Sequence, residues 1–331
     1  MRALLIGPGA VGARAMRSLL ETGAERVVVT GGTAANRAAT VEAGGAHAVD
    51  GGADGSPSEH RDIDVVVLCG PGGTHAGPAR AHLEAGRSIV SSSDDVGDVR
   101  ALLDLDVLAR ERGRSVVVGA GFSPGYTCLL ARHAASAFDR VDEVHVARAG
   151  TGGPACARQH HRALAGTAVD WRDGEWLGRS AGSGRELCWF PDPIGGLDCY
   201  RAEVPDALLL APHLPGVGRV TARVAASRRD RLTARLPMLR RPHPEGLVGA
   251  VRVEVRGLRQ GAQDVLVYGA LDRPAVASGA VVALAARWVA DGRIAPGARG
   301  LVAIEDPVPA LQELAAIGVR AAVFEGGTLG S

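Results

Sequence analysis

Gly7, Gly9 and Gly12 follow the apolar run Ala3–Ile6 and open a segment with helical spacing, Val11, Ala15 and Leu19. A strand, a tight glycine turn and a helix form the first half of a βαβ unit. In that setting G-x-G-x-x-G marks a dinucleotide-binding turn. Gly7 permits the tight turn, Gly9 lets backbone approach a pyrophosphate, and Gly12 lets helix and strand pack closely. The helix start at Ala10 and Val11 supplies amide donors and partial positive charge. The competing reading is a glycine-rich loop with no ligand.

The rest of the first 120 or so residues keeps this alternation. Strands are expected at Arg26–Thr30, Asp64–Cys69, Ser88–Ser91 and Ser115–Gly119, with helices at Ala34–Ala43, His75–Ala85 and Val99–Arg112. The strands are apolar on both faces, as in a parallel sheet covered by helices. The reading is an α/β chain: a Rossmann doubly wound parallel sheet over 1–125, then an α+β domain with a mixed or antiparallel sheet over 126–272. The second region is assigned to substrate and dimerisation. In it Asp173-Gly174 is a hairpin signal that sets Trp171 opposite Trp176. That pair either covers a substrate or staples the hairpin. A C-terminal helical segment, 273–331, with a helix at Pro274–Ala290 and a last strand at Val319–Phe324, is expected to return to the Rossmann domain.

Composition narrows the chemistry. The 37 basic and 36 acidic residues leave a net charge of +1, so nothing points to nucleic acid or a membrane surface as partner. The chain has no lysine, which excludes a Schiff-base lysine, a lysine general acid and a Walker-A lysine. Its 5 cysteines are scattered without C-x-x-C, so a reducing, cytoplasmic compartment is expected and no metal site. No signal-peptide pattern or spanning apolar stretch is read.

The second strand ends in Thr30-Gly31-Gly32-Thr33, with Arg37 beyond, where an NAD site usually has an acid for the ribose hydroxyls. Thr30, Thr33 and Arg37 suit a 2′-phosphate, so NADP is favoured, with NAD possible; the rival is that Arg37 is a solvated helix residue. Gly70-Pro71-Gly72-Gly73-Thr74-His75 should lie beside the nicotinamide ribose, and the segment from Ser91 to Asp95 should line the same crevice. Thr74 and Asp95 are also candidate helix caps.

Gly119-Ala120-Gly121-Phe122-Ser123-Pro124-Gly125-Tyr126, taken with the N-terminal fingerprint, resembles the saccharopine dehydrogenase-like family and its carboxynorspermidine dehydrogenase relatives. There a G-F-D-P-G segment joins the dinucleotide and catalytic domains; here Ser123 replaces the Asp. The resemblance covers the first 130 or so residues by motif and the remainder by architecture. It implies a two-domain NAD(P) oxidoreductase acting on amino-acid or opine-like substrates, often a homodimer; Gly121 and Pro124 of this segment are expected cofactor contacts, and a small amino- or keto-acid is the expected substrate because arginines are the only fixed cations. Without lysine, the Lys–His pair of several saccharopine dehydrogenases is incomplete in this chain.

For the chemistry itself, the segment from Gly150 to Arg162 is richest. Glycines precede a helix whose first turn suits Pro154. Arg158 could pair bidentately with a substrate carboxylate. His160 or His161 could be the general acid–base, and helical geometry lets one of them face the cleft. Packing at a helix–sheet contact is the other reading of His160, and a solvated position that of His161. The expected activity is hydride transfer between nicotinamide and a carbonyl or imine carbon of a small-molecule substrate. The alternatives are a nucleotide sensor or scaffold that has lost catalysis, and a non-redox enzyme with a structural cofactor.

Overall fold

A computed structural model describes residues 1–238 and 241–324. The βα alternation forms as the periodicity predicts, with one short strand, β3, that periodicity did not reveal: β1 (Arg2–Ile6), α1 (Ala10–Glu21), β2 (Arg26–Thr30), α2 (Ala34–Gly44), β3 (Ala48–Asp50), β4 (Val65–Leu68), α3 (Ala76–Glu84), β5 (Ser88–Ser91), α4 (Val96–Leu103), α5 (Asp106–Glu111) and β6 (Ser115–Val118). Where one helix was expected over Val99–Arg112, two form. Asp95 caps α4 by accepting from the Asp98 amide, and a break after Leu103 lets Leu102, Leu105 and Ala109 all reach the core. Such a cap satisfies an otherwise unpaired amide.

Helix α6 (Tyr126–Ala135) leads into the second region: β7 (Arg140–Ala149), α7 (Pro154–Ala163), β8 (Thr167–Arg172), β9 (Glu175–Ser180), β10 (Glu186–Phe190), β11 (Gly195–Arg201), α8 (Asp206–Leu210), β12 (Arg219–Ala225), α9 (Arg228–Thr233), β13 (Gly249–Arg259) and β14 (Ala262–Asp272). The chain continues with α10 (Pro274–Ala290), β15 (Gly297–Gly300), α11 (Val308–Ala316) and β16 (Ala321–Phe324). The β8–β9 register sets Trp171 opposite Trp176, with ring centroids 4.8 Å apart in an edge-on pair, the arrangement that stabilises a hairpin.

Two sheets result. The first is parallel, in the order β15-β6-β5-β4-β1-β2-β3; the second is mixed, with the path β10-β11-β12-β7-β13-β14-β16 and the β8–β9 hairpin attached at β12. Strand β15 and helix α10 return to the first sheet. Gly279 of α10 packs so tightly on α1 that a Cβ there would lie 2.7 Å from Arg14 and Ala15 backbone. The last strand instead pairs with β14 of the second sheet. Positions 325–331 of the expected C-terminal segment lie outside the described residues. Among the described residues no helix is long and apolar enough to cross a membrane.

Candidate active site

Strands β1, β4 and β5, built largely from buried Ala, Leu, Val and Ile, lie at the centre of the parallel sheet, and their carboxyl ends open into a cleft of about 980 Å³. The end of β7 and one face of α7 form the opposite wall. Three helices begin there, at Ala10, Pro154 and Pro274. Aligned helix amino termini favour an anionic ligand.

The glycine turn builds one side. Gly7 has φ +103°, and a Cβ on it would lie 2.5 Å from the Gly70 amide nitrogen. A Cβ on Gly12 would lie 2.1 Å from the Gly7 carbonyl oxygen, so Gly12 serves packing and does not line the cleft. Gly9 is the contrast: a Cβ there meets nothing within 4 Å, and the residue faces the cleft. Helix α1 has no side-chain cap and no acid in its first turn. Open space over Gly9 beside uncapped amides at Ala10 and Val11 fits a pyrophosphate.

The other expected cofactor contacts divide. Gly70, Pro71 and Gly121 line the cleft with Ala10 and Val11. Thr30 does not: it is fully buried and its hydroxyl donates to the Leu5 carbonyl. Thr33 caps α2 by accepting from the Asn36 amide. Arg37 is not a solvated residue. Its guanidinium donates to Asp50 at 2.9 Å and to the carbonyls of Gly31 and Gly32, both cleft residues. Ser91 is internal, bonded to His75 Nδ1 at 2.8 Å. Pro124 sits behind the wall, against Gly119. Thr74 lines the cleft with Gly72, Ser92 and Asp94, but its hydroxyl donates to the Pro71 carbonyl and it is not a helix cap.

Charged groups gather at the inner end. Arg148, on β7, pairs with Asp94 at 2.8 Å and donates to the Ser123 carbonyl at 2.6 Å. Its Nε is buried without a partner. Ser123 lines the cleft, and its hydroxyl donates to Asp206 Oδ1 at 2.9 Å. His160 also lines it, with Nε2 3.0 Å from the Ala225 carbonyl. A carbonyl only accepts, so Nε2 carries the hydrogen and the buried, unpartnered Nδ1 is an acceptor. Burial first, then the Arg148 charge, push the His160 pKa down to about 4. His160 therefore packs at a helix–sheet contact and faces the cleft at once.

His161 points elsewhere. It is buried, neither solvated nor in the cleft, with Nε2 between the carbonyls of Thr233 and Leu236. Successive helical residues diverge by about 100°, so only one of the pair reaches the cleft. Arg158 lines the cleft from an exposed position. Among the described residues no group of three or more His, Cys, Asp or Glu gathers as a metal site.

Sequence reasoning missed Arg148 and Asp206. Arg148 reads as one more polar position in an alternating strand, and Asp206 as a residue in a loop. The available signal for Arg148 was its inward register, shared with Val144 and Val146, which are buried.

No protein-family model and no curated protein matches the chain. Solved structures do. Over 98% of its length the chain is similar to 99% of apo saccharopine dehydrogenase (L-Glu forming) from Saccharomyces cerevisiae, at 17% identity and a TM-score of 0.74. A probable dehydrogenase from Thermotoga maritima matches at 11% identity and TM-score 0.52, covering 98% of each chain. The DAP dehydrogenase of C. glutamicum, in complex with DAP, matches at 14% identity and TM-score 0.49, covering 91% of this chain and 93% of its own. The chain thus has the fold of saccharopine dehydrogenase, a parallel dinucleotide-type sheet joined to a mixed one.

Proposed function

We propose that the protein is an NAD(P)-dependent oxidoreductase acting on a small amino- or keto-acid. The observation that carries the reading is the Gly9 turn, open to the cleft at the uncapped start of α1 and faced by buried polar groups with unmet hydrogen bonds. A nicotinamide dinucleotide held there would supply hydride chemistry, which the protein's own side chains lack. Gly9, Ala10 and Val11 would hold its pyrophosphate, and Gly70, Pro71 and Gly121 would lie along it.

For the substrate, Arg148 Nε–H is a donor and His160 Nδ1 an acceptor, both desolvated, which suits an oriented polar substrate. Arg158 at the rim would meet a carboxylate. At neutral pH His160 is uncharged, so it orients the substrate; a pKa near 4 is a poor match for carrying the proton. NADP is the preferred form in this reading. The end of β2 carries no acid, and the Arg37 guanidinium stands directly behind Gly31 and Gly32.

Calorimetric titration with NADPH and NADH, followed by absorbance assays over amino- and keto-acid panels including saccharopine, tests the proposal. Binding of neither dinucleotide would end it.

A further inference from the structure

Asp206 is 1% exposed and sits at the start of α8, which packs on α6 and β12. Ser123 and Thr127 both donate to the same carboxyl oxygen, Oδ1, at 2.9 and 3.1 Å. The second oxygen, Oδ2, is buried with no partner among the described residues. Asp206 itself does not line the cleft, so it reaches a ligand there only through a hydroxyl that bonds to it. Ser123 is also one of the residues that line the cleft. Its hydroxyl hydrogen is directed to Asp206, which leaves its oxygen lone pairs for a ligand.

We propose that Asp206 is a positioning residue that exchanges a proton with the bound substrate through the hydroxyl of Ser123. The inference rests on the oxidoreductase reading above and supplies the acid–base group that His160 does not. In the oxidative direction the substrate's O–H or N–H bond breaks and its proton bonds to Ser123 Oγ. The Ser123 O–H bond breaks in the same motion, and its proton bonds to Asp206 Oδ1. The electron pair of the substrate C–H bond leaves as hydride, taken up by oxidised nicotinamide dinucleotide. Reduction runs the relay backwards.

The surroundings suit a proton carrier. Burial raises the Asp206 pKa, while the Arg148 charge and the two hydroxyl donors oppose the rise; the carboxylate of Asp94 adds to it. The neighbouring Cys128 thiol is pushed up to about 12 by burial, so it stays neutral and does not compete. Opposed influences of this kind bring a carboxyl toward the pH range where it can both take and give a proton.

The test uses the full-length protein with NADPH and NADP and any substrate found in the panel. Asp206→Asn keeps an acceptor for both hydroxyls but cannot take a proton. It is expected to leave dinucleotide affinity within about twofold and to lower kcat about a hundredfold, with loss of the acidic limb of the kcat pH profile. Ser123→Ala should match it, and Ser123→Thr should restore most of the rate. Dinucleotide binding and turnover in the wild type, with unchanged rates and pH profiles in Asp206→Asn and Ser123→Ala, would overturn the relay and leave the oxidoreductase reading standing. Binding of neither dinucleotide overturns both. A substrate-free readout decides the relay without turnover: carbon-13 NMR of the aspartate carboxyls, with Asp206→Asn as the assignment control. Titration of Asp206 above the ordinary aspartate range supports the relay, and a carboxyl fully ionised down to about pH 4 sinks it.

Discussion

Arg148 Nη2 lies 2.8 Å from Asp94 Oδ2, which ties a strand of the second sheet to the carboxyl edge of the first. The side chains are 11% and 21% exposed, so solvent screens the pair little. Removing one partner leaves the other charge buried. Asp94→Asn is therefore expected to cost about 3 kcal/mol of unfolding free energy in urea, and adding Arg148→Met should regain part of it. Coincident urea midpoints for wild type and Asp94→Asn would refute this.

The glycine turn separates folding from binding. Gly12→Ala drives a Cβ into the Gly7 carbonyl and should destabilise by about 2 kcal/mol or more. Gly9→Ala meets open space and should melt within about 2 °C of wild type. Its dinucleotide affinity should fall at least tenfold, about 1.4 kcal/mol, because the methyl would occupy the approach proposed for the pyrophosphate. Equal calorimetric affinities for wild type and Gly9→Ala would move the phosphates elsewhere.

In the proposed reading Arg37, held between Asp50 and the Gly31 and Gly32 carbonyls, sets the cofactor preference. Arg37→Ala should weaken NADPH about tenfold and NADH less than about twofold. A uniform loss for both would show that the residue braces the loop and reads no phosphate.

His160 sets part of the acid sensitivity. Its folded pKa, near 4, lies below the ordinary value of 6.5, so the unfolded chain takes up a proton that the folded chain refuses. That stability is whole above pH 6.5 and falls as pH drops toward 4, by about 2 kcal/mol at about pH 5. His75, His82, His145 and His213 are depressed as well and act in the same sense. In His160→Gln the loss of stability between about pH 7 and pH 5 should shrink by that amount. Identical losses in the two proteins would contradict the assignment.

Local features were legible without coordinates. Helices Ala10–Glu21 and Pro274–Ala290 begin and end where spacing and Pro placed them, and the Asp173-Gly174 turn set the Trp171–Trp176 register. Turn chemistry and periodicity act over a few residues, so a sequence displays them directly. Thr30 and His161 misled for a related reason. Each stands at the right place along the chain, but the direction of a side chain depends on what packs against it.

The amino-acid sequence by itself determined the βα alternation, the glycine turn and the exclusion of lysine chemistry. Only the tertiary structure decided which polar groups meet in the cleft. Ser123 and Asp206 stand 83 positions apart and become neighbours because α8 packs against α6. No short-range pattern encodes that approach: it follows from burying the apolar faces of both helices and the second sheet together, and the hydrogen-bonding groups are carried along.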